Sequence, residues 1–206
     1  LSLHDALPIF DAVLYATGRK ANTANIGLEH TDIATNERGA IVVNDTCESS
    51  VPGVYAVGDV NGGPQFTYIS LDDFRIVFGA LTGNSQYTLK DRKNIPYTTF
   101  LTPPLSRVGL TEEDAINQGY TVKTKEMLVA TMPRAHVNDY LKGAFKIVVD
   151  ADNDLILGAT LYSQGAEELI NLIKMAMDNN IPYTYFKNQI FTHPTMAENL
   201  NDLCNF

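Results

Sequence analysis

His193, Pro194 and Glu198 make up the segment of this 206-residue chain best equipped to move a proton. The pyrrolidine ring of Pro194 excludes His193 from helical geometry and holds it extended. Pro194 itself suits the first position of a helix, having no N–H to leave unpaired. His193 is therefore expected just outside a helix start, with Glu198 about one turn in. A carboxylate there reaches back to one imidazole nitrogen and fixes the tautomer. It leaves the other nitrogen facing outward and stabilises the imidazolium once a proton is taken. These are the parts of a general base and its orienter. The same residues also fit a plainer description, a surface histidine ahead of a helix whose dipole Glu198 favours.

A second constellation is Val54-Tyr55-Ala56-Val57-Gly58-Asp59, an apolar run ending in an acid. In open α/β sheets, ligands bind at the carboxyl ends of strands, and an acid there can accept hydrogen bonds from sugar hydroxyls. Gly58 would let a ligand approach the backbone closely. The loop Asn61-Gly62-Gly63-Pro64 and the helix after it could turn N–H groups toward an anionic or carbonyl edge. The plainer alternative is an aspartate in a turn. Cys47 and Cys204 are the two cysteines, too far apart for a disulfide framework or a zinc site. No metal site is expected. Sparse cysteine suits a reducing, cytoplasmic compartment. Cys204, close to the C-terminus, also allows a reactive thiol.

These groups need elements to position them. Phe10 to Ala16, Ala40 to Val43 and Val54 to Val57 are short apolar runs, expected as strands of a parallel sheet. Ile69 to Leu81 carries apolar residues at 71, 74, 77, 78 and 81, a helical period. Tyr87 to Pro96 is polar and ends in proline, which places a domain boundary near residue 90. Beyond it, Tyr97 to Leu101, Thr121 to Ala130, Ala144 to Val149 and Leu155 to Tyr162 read as antiparallel strands. The turn at Asp150 to Asp154 joins the last two as a hairpin. Thr111 with Glu112, Glu113 and Asp114 is a helix start. Gly165 to Asp178 is the strongest helix, its stripe formed by Leu169, Leu172, Ile173, Ala176 and Met177. Met175 and Met177 are expected in packing rather than on a cofactor. The fold class is an α/β tail, residues 10–90, followed by an α+β domain, residues 91–206. Leu1 to Ile9 has neither the basic start nor the apolar core of a signal peptide. It reads as a non-native junction segment before a truncated domain.

Apolar residues make up 45% of the chain and charged residues 19%, and the net charge is −9. That balance suits a soluble globular protein and argues against a nucleic-acid partner. No run approaches the ~20 apolar residues of a membrane helix, so no membrane partner is expected.

Several pieces together resemble the pyridine nucleotide–disulfide oxidoreductases, over residues 10 to 206. Ala16-Thr17-Gly18-Arg19-Lys20-Ala21-Asn22 resembles their ATGRxPN segment, and Thr46 through Asp59 their second FAD motif. Thr102-Pro103-Pro104 through Val108-Gly109-Leu110-Thr111-Glu112 resembles the opening of their dimerisation domain. Ile156-Leu157-Gly158-Ala159 with Ala166-Glu167 resembles its later strand and helix. His193-Pro194-Thr195-Met196-Ala197-Glu198 matches HPTxxE. The resemblance implies a homodimeric FAD enzyme that oxidises NADPH or NADH and passes electrons through a redox disulfide to a small-molecule oxidant or disulfide substrate. It implies that Asp59 binds the flavin ribitol, with Gly58, Gly18 and Arg19 in the same cofactor region. Phe66, Thr67, Tyr68 and Ile69 would approach the flavin ring. His193 would be the acid–base residue and Glu198 its partner, acting in the other subunit's active site.

The departures narrow the branch. Ala21 replaces a usual proline and Pro104 a common glutamate. GGPQFTYISLDD stands where most members read LTPVA or similar. That run most resembles the branch resisting reactive chlorine species, which includes hypothiocyanous acid reductases. It is less similar to dihydrolipoamide dehydrogenase, glutathione reductase or mercuric reductase. The chain has no GxGxxG loop and no CxxxxC pair. It therefore reads as a C-terminal fragment, inactive alone. The rival reading is a free-standing dimerisation module without enzyme activity.

Overall fold

The computed structural model describes residues 10–84 and 86–206, so the reading of Leu1 to Ile9 lies outside the described residues. The chain divides into two compact units, one up to Lys90 and one of Asp91–Phe206.

In the first unit the three expected strands do not form. Residues 10–16 carry no strand, and Leu14 and Tyr15 are 89% and 86% exposed. Ile41, Val43 and Tyr55 each make only an isolated antiparallel bridge, to Thr35, Ser49 and Glu48. The physical reason is pairing. A parallel strand takes its hydrogen bonds from neighbours, and among the described residues no strand or bridge pairs with 10–16. What forms instead is a series of tight loops. Asn36 Oδ1 accepts from the N–H groups of Arg38 and Ala40, and Asn44 Oδ1 from those of Thr46 and Glu48. The helix is as expected: α1 spans Thr67–Thr82 and ends on Gly83 in the left-handed region. Its buried positions are Ile69, Asp73, Ile76 and Gly79, whereas Leu71, Phe74, Phe78 and Leu81 are exposed.

The second unit is an antiparallel sheet of five strands. They are β1 (Tyr97–Thr99), β2 (Leu105–Gly109), β3 (Val122–Leu128), β4 (Ala144–Asp150) and β5 (Ile156–Tyr162), in the order β1-β2-β5-β4-β3. Helix α2 (Glu112–Asn117) begins at a capping box. Asp114 N–H donates to Thr111 Oγ1 at 3.0 Å, and the Thr111 hydroxyl returns a 2.6 Å bond to the Asp114 carboxylate. That hydroxyl bond, with the Thr111 backbone N–H, holds the Asp114 carboxyl below its usual range. The short helix α3 (Pro133–Val137) follows β3. Asp150 builds the β4–β5 turn: its carboxylate accepts from Asn153 Nδ2 at 2.7 Å and Asp152 N–H at 2.9 Å.

Helix α4 (Ala166–Asp178) buries Ala166, Leu169, Ile170, Ile173 and Ala176 in a core shared with Val108, Phe145, Ile147 and Leu161. Ile170 takes the place expected for Leu172, which is exposed; Met177 packs against the core and Met175 is exposed. Helices α5 (Tyr183–Asn188) and α6 (Leu200–Leu203) close the same core. Cys204 is wholly buried there, and burial pushes its thiol up to about 12 against the opposing charge of Lys125. A thiol so placed is not reactive.

Two glycines let β2 and β5 meet. Gly109 pairs with Gly158, and a Cβ on Gly158 would stand 2.1 Å from the Leu110 carbonyl oxygen. The substitution Gly158→Ala is expected to destabilise this unit by about 1–3 kcal/mol through overpacking. Chemical denaturation measures it; an unchanged midpoint would show that the strands can separate without cost.

Candidate active site

In the second unit, the chain leaves α5 at Gln189 and reaches His193 through an irregular run. The structure brings His193 and Glu198 together: Nδ1 lies 2.9 Å from Glu198 Oε2. The His193 side chain is 71% exposed and the Glu198 side chain 15%. A carboxylate can only accept here, so Nδ1 carries the proton and donates. Nε2 is thereby left with its lone pair, on an imidazole open to solvent. Glu198 Oε1 is buried and has no hydrogen-bond partner among the described residues. The imidazole is thus the carboxylate's one side-chain donor. A positive charge on it would be compensated at close range.

The helix start differs from expectation. The His193–Pro194 peptide bond is cis, and Pro194 does not occupy a first helical position. Helical turns begin at Ala197, in a 3-10 turn to Asn199 that continues into α6. Ala197 takes the first helical position expected of Pro194, and Thr195 shapes the turn ahead of it. Its hydroxyl donates to the Thr192 carbonyl at 2.8 Å and accepts from Glu198 N–H at 3.2 Å. Beyond Glu198, Leu200 and Leu203 are completely buried, and Lys125 Nζ donates to the Asp202 carbonyl at 2.7 Å.

In the first unit, Gly58–Asn61 is a 3-10 turn that presents the exposed carboxylate of Asp59. Gly58 itself is buried at φ 73°, and a Cβ there would meet Ser70 Oγ at 2.7 Å. Its space is therefore filled by α1, where the sequence suggested room for a ligand. Its N–H is also taken, by Asp73 Oδ2 at 2.7 Å. Asn61 Nδ2 joins the same oxygen at 2.9 Å, while Asn61 Oδ1 accepts from Gly63 N–H at 3.0 Å. Asp73, which is fully buried, is the residue that sequence reasoning missed. The signal was present: an acid at the α1 position between Ile69 and Ile76 lies on the buried stripe and needs donors.

Arg19 Nη1 lies 3.6 Å from Asp59 Oδ2, and Arg19 Nη2 donates to the Gln65 carbonyl at 3.3 Å. Arg19, Asp59 and Gln65 line a cavity of about 370 Å³ with Lys20, Ala21, Asn22 and Val60. Gly18 stands at φ 129° with nothing near its missing Cβ. Phe66 precedes α1, which opens without a side-chain cap. Thr67 and Tyr68 are exposed in the first turn, and Ile69 is buried. A carboxylate suits sugar hydroxyls, and an uncapped helix start suits an electron-rich ring edge. Among the described residues no cluster of His, Cys, Asp or Glu could hold a metal ion. Nor is any described helix long and apolar enough to cross a membrane.

Comparison with known proteins gives a consistent result. The pattern of the family described as pyridine nucleotide-disulphide oxidoreductase, dimerisation domain, matches residues 95–204. That described as pyridine nucleotide-disulphide oxidoreductase matches residues 8–73. The chain is 49% identical to the probable pyridine nucleotide-disulfide oxidoreductase RclA of Escherichia coli, over 94% of this chain and 44% of that protein. It is 35% identical to a mercuric reductase of Staphylococcus aureus, over 92% of this chain and 35% of the relative. A dihydrolipoyl dehydrogenase of Thermus scotoductus is 33% identical, over 93% and 41%. The solved structure titled HOCl-induced flavoprotein disulfide reductase RclA from Escherichia coli superposes with a TM-score of 0.89 at 48% identity. It covers 92% of this chain and 43% of that one. The chain thus spans less than half the length of each of these relatives.

The buried Asp73 carboxyl gives this site its first test. Asp73→Ala strands the Gly58 N–H and the Asn61 amide, and is expected to destabilise the loop by about 2–4 kcal/mol. Hydrogen exchange at Gly58 should accelerate correspondingly; unchanged protection would mean that Asp73 does not hold the turn.

Proposed function

Because the chain belongs to the pyridine nucleotide-disulphide oxidoreductase family, with its second unit the dimerisation domain, we propose that it is the C-terminal part of an FAD-dependent NAD(P)H:disulfide oxidoreductase. Its role there is to supply the dimer interface and the His193–Glu198 acid–base pair. The observation that carries this reading is the 2.9 Å contact that commits Nδ1 and leaves Nε2 available. The higher identity to the Escherichia coli RclA than to the mercuric reductase or the dihydrolipoyl dehydrogenase favours its branch.

The residues present fit FAD. Asp59 would bind the ribitol hydroxyls, with Arg19 holding its carboxylate in place. The Thr67 and Tyr68 N–H groups would face the flavin ring, beside Phe66 and Ile69. When bound, FAD would carry the electron pair between the nicotinamide, NADPH or NADH, and a redox disulfide. The strand neighbours that Phe10 to Ala16 does not find among the described residues would come from the part of the parent this chain does not span. So would the dinucleotide loops and the redox cysteines.

His193 would act on the disulfide of the partner subunit. Nε2 accepts the proton of a thiol, and the resulting thiolate is free to attack a disulfide or oxidant sulfur. Glu198 stabilises the imidazolium so formed. In the reverse sense the imidazolium returns the proton to a leaving thiolate. The substrate is a small-molecule oxidant or disulfide.

In the full-length enzyme, His193→Ala is expected to leave flavin absorbance unchanged and to slow turnover by ~10²–10⁴-fold. Near-normal turnover with flavin bound would remove the acid–base role. The 206-residue chain is expected to be a dimer by light scattering, since the dimerisation domain is matched over residues 95–204. A monomer at micromolar concentration would count against the interface role.

A further inference from the structure

Asn201 stands outside every motif that points to chemistry, yet its side chain lies where the two arms of the His193–Glu198 turn meet. Its Nδ2 donates to the Phe186 carbonyl at 2.6 Å and the Gln189 carbonyl at 3.0 Å, with a longer approach of 3.4 Å to that of Lys187. These carbonyls lie at and just past the C-terminal end of α5, where a helix leaves its last carbonyls short of donors; that of Phe186 also accepts from Gln189 N–H at 3.4 Å. Four residues after Gln189 comes His193. Three residues before Asn201 comes Glu198. One amide therefore ties the arm that delivers the imidazole to the helix that delivers the carboxylate.

The helix side of this tie is itself fixed. Lys125, on β3, donates to the Asp202 carbonyl at 2.7 Å, and Leu200 and Leu203 are fully buried on either side of Asn201. The arm side has less to hold it. Ile190 is almost wholly exposed, and Phe191 is only partly buried against the core. Without the amide, the arm from Gln189 to Thr192 would keep the Phe191 contact, the bond from Thr195 to Thr192, and the long 3.4 Å bond from Gln189 N–H to the Phe186 carbonyl.

We propose that Asn201 is a positioning residue, which sets the His193–Glu198 hydrogen bond by capping α5 and drawing the histidine arm onto α6. The inference rests on the acid–base reading for its functional meaning, but its geometric content is separate. Two measurements keep them apart. The first is the His193 tautomer in the ¹⁵N-histidine-labelled 206-residue chain, assigned with His193→Ala. The second is turnover in the full-length flavoenzyme.

With Asn201→Ala, His193 should change from a single Nδ1-protonated neutral form to a mixture of tautomers. The parent enzyme's kcat should fall ~10–100-fold with little change in KM. Asn201→Ser keeps one donor and should restore part of both. Asn201→Asp, which sets a carboxylate against three carbonyls, should do no better than alanine. A wild-type tautomer in the alanine variant, or in the aspartate variant if alanine prevents folding, overturns the positioning role, whatever happens to turnover. A mixed tautomer with undiminished turnover supports the positioning role and removes the acid–base reading instead.

Discussion

The complete burial of Leu200 and Leu203 is the constraint on which the rest of the C-terminal unit depends. Each such side chain contributes ~1.5–3 kcal/mol when removed from water. They lie immediately after Glu198 and share the core with Phe145, Ile147 and Ile173. That core is closed by the sheet on one side and α4 on the other. An exposed imidazole on an irregular arm can hold a defined direction only if the chain on either side is fixed. The leucines fix the downstream side. Thr195 then shapes the turn, Glu198 sets the ring, and Lys125 ties the end of α6 to β3. The sequence of causes runs from apolar burial to backbone position to the state of one proton.

The first unit uses the opposite device. Its loop from Gly58 to Gly63 is organised around a buried acid, with Asp73 accepting from Gly58 and Asn61 while Asn61 orders Gly63. Polar anchors of this kind are more directional than apolar ones but depend on every partner being present. The result is that Asp59 is presented outward while its neighbour Gly58 is locked inward. The acid suited to a sugar hydroxyl sits beside a glycine whose N–H is held by a second, buried acid.

Much of the second unit was legible because its signals are local. The stripe of α4 repeats over three turns, Asp150 builds its hairpin turn within five residues, and the Thr111–Asp114 box lies within four. The His193–Glu198 contact was legible for the same reason, since five residues of chain allow few ways for the pair to miss. Strand β2 was not read: Leu105–Gly109 contains Ser and Arg, and it becomes a strand by pairing with β5, some fifty residues away. Asn201 was not legible at all. Its acceptors are backbone carbonyls 12 to 15 residues back, and carbonyls leave no mark on a sequence.

The unformed strands of the first unit follow from the same distinction between local and distant partners. Phe10 to Ala16 has the composition of a parallel strand buried on both faces, yet Val13, Leu14 and Tyr15 are exposed. An antiparallel hairpin carries its partner a few residues away, as β4 and β5 do. A parallel strand draws its partner through a crossover of a dozen residues or more. The exposed face of α1, with Phe74 and Phe78 packed on each other at 5.7 Å, obeys the same rule. The period in the sequence correctly announces a helix, but the face it marks is covered only if another element lies against it. Apolar pattern specifies what a segment needs; whether the need is met depends on residues elsewhere. The second unit finds its strand partners within its own 116 residues, Asp91–Phe206, and is for that reason the part of this chain whose structure follows most directly from its sequence.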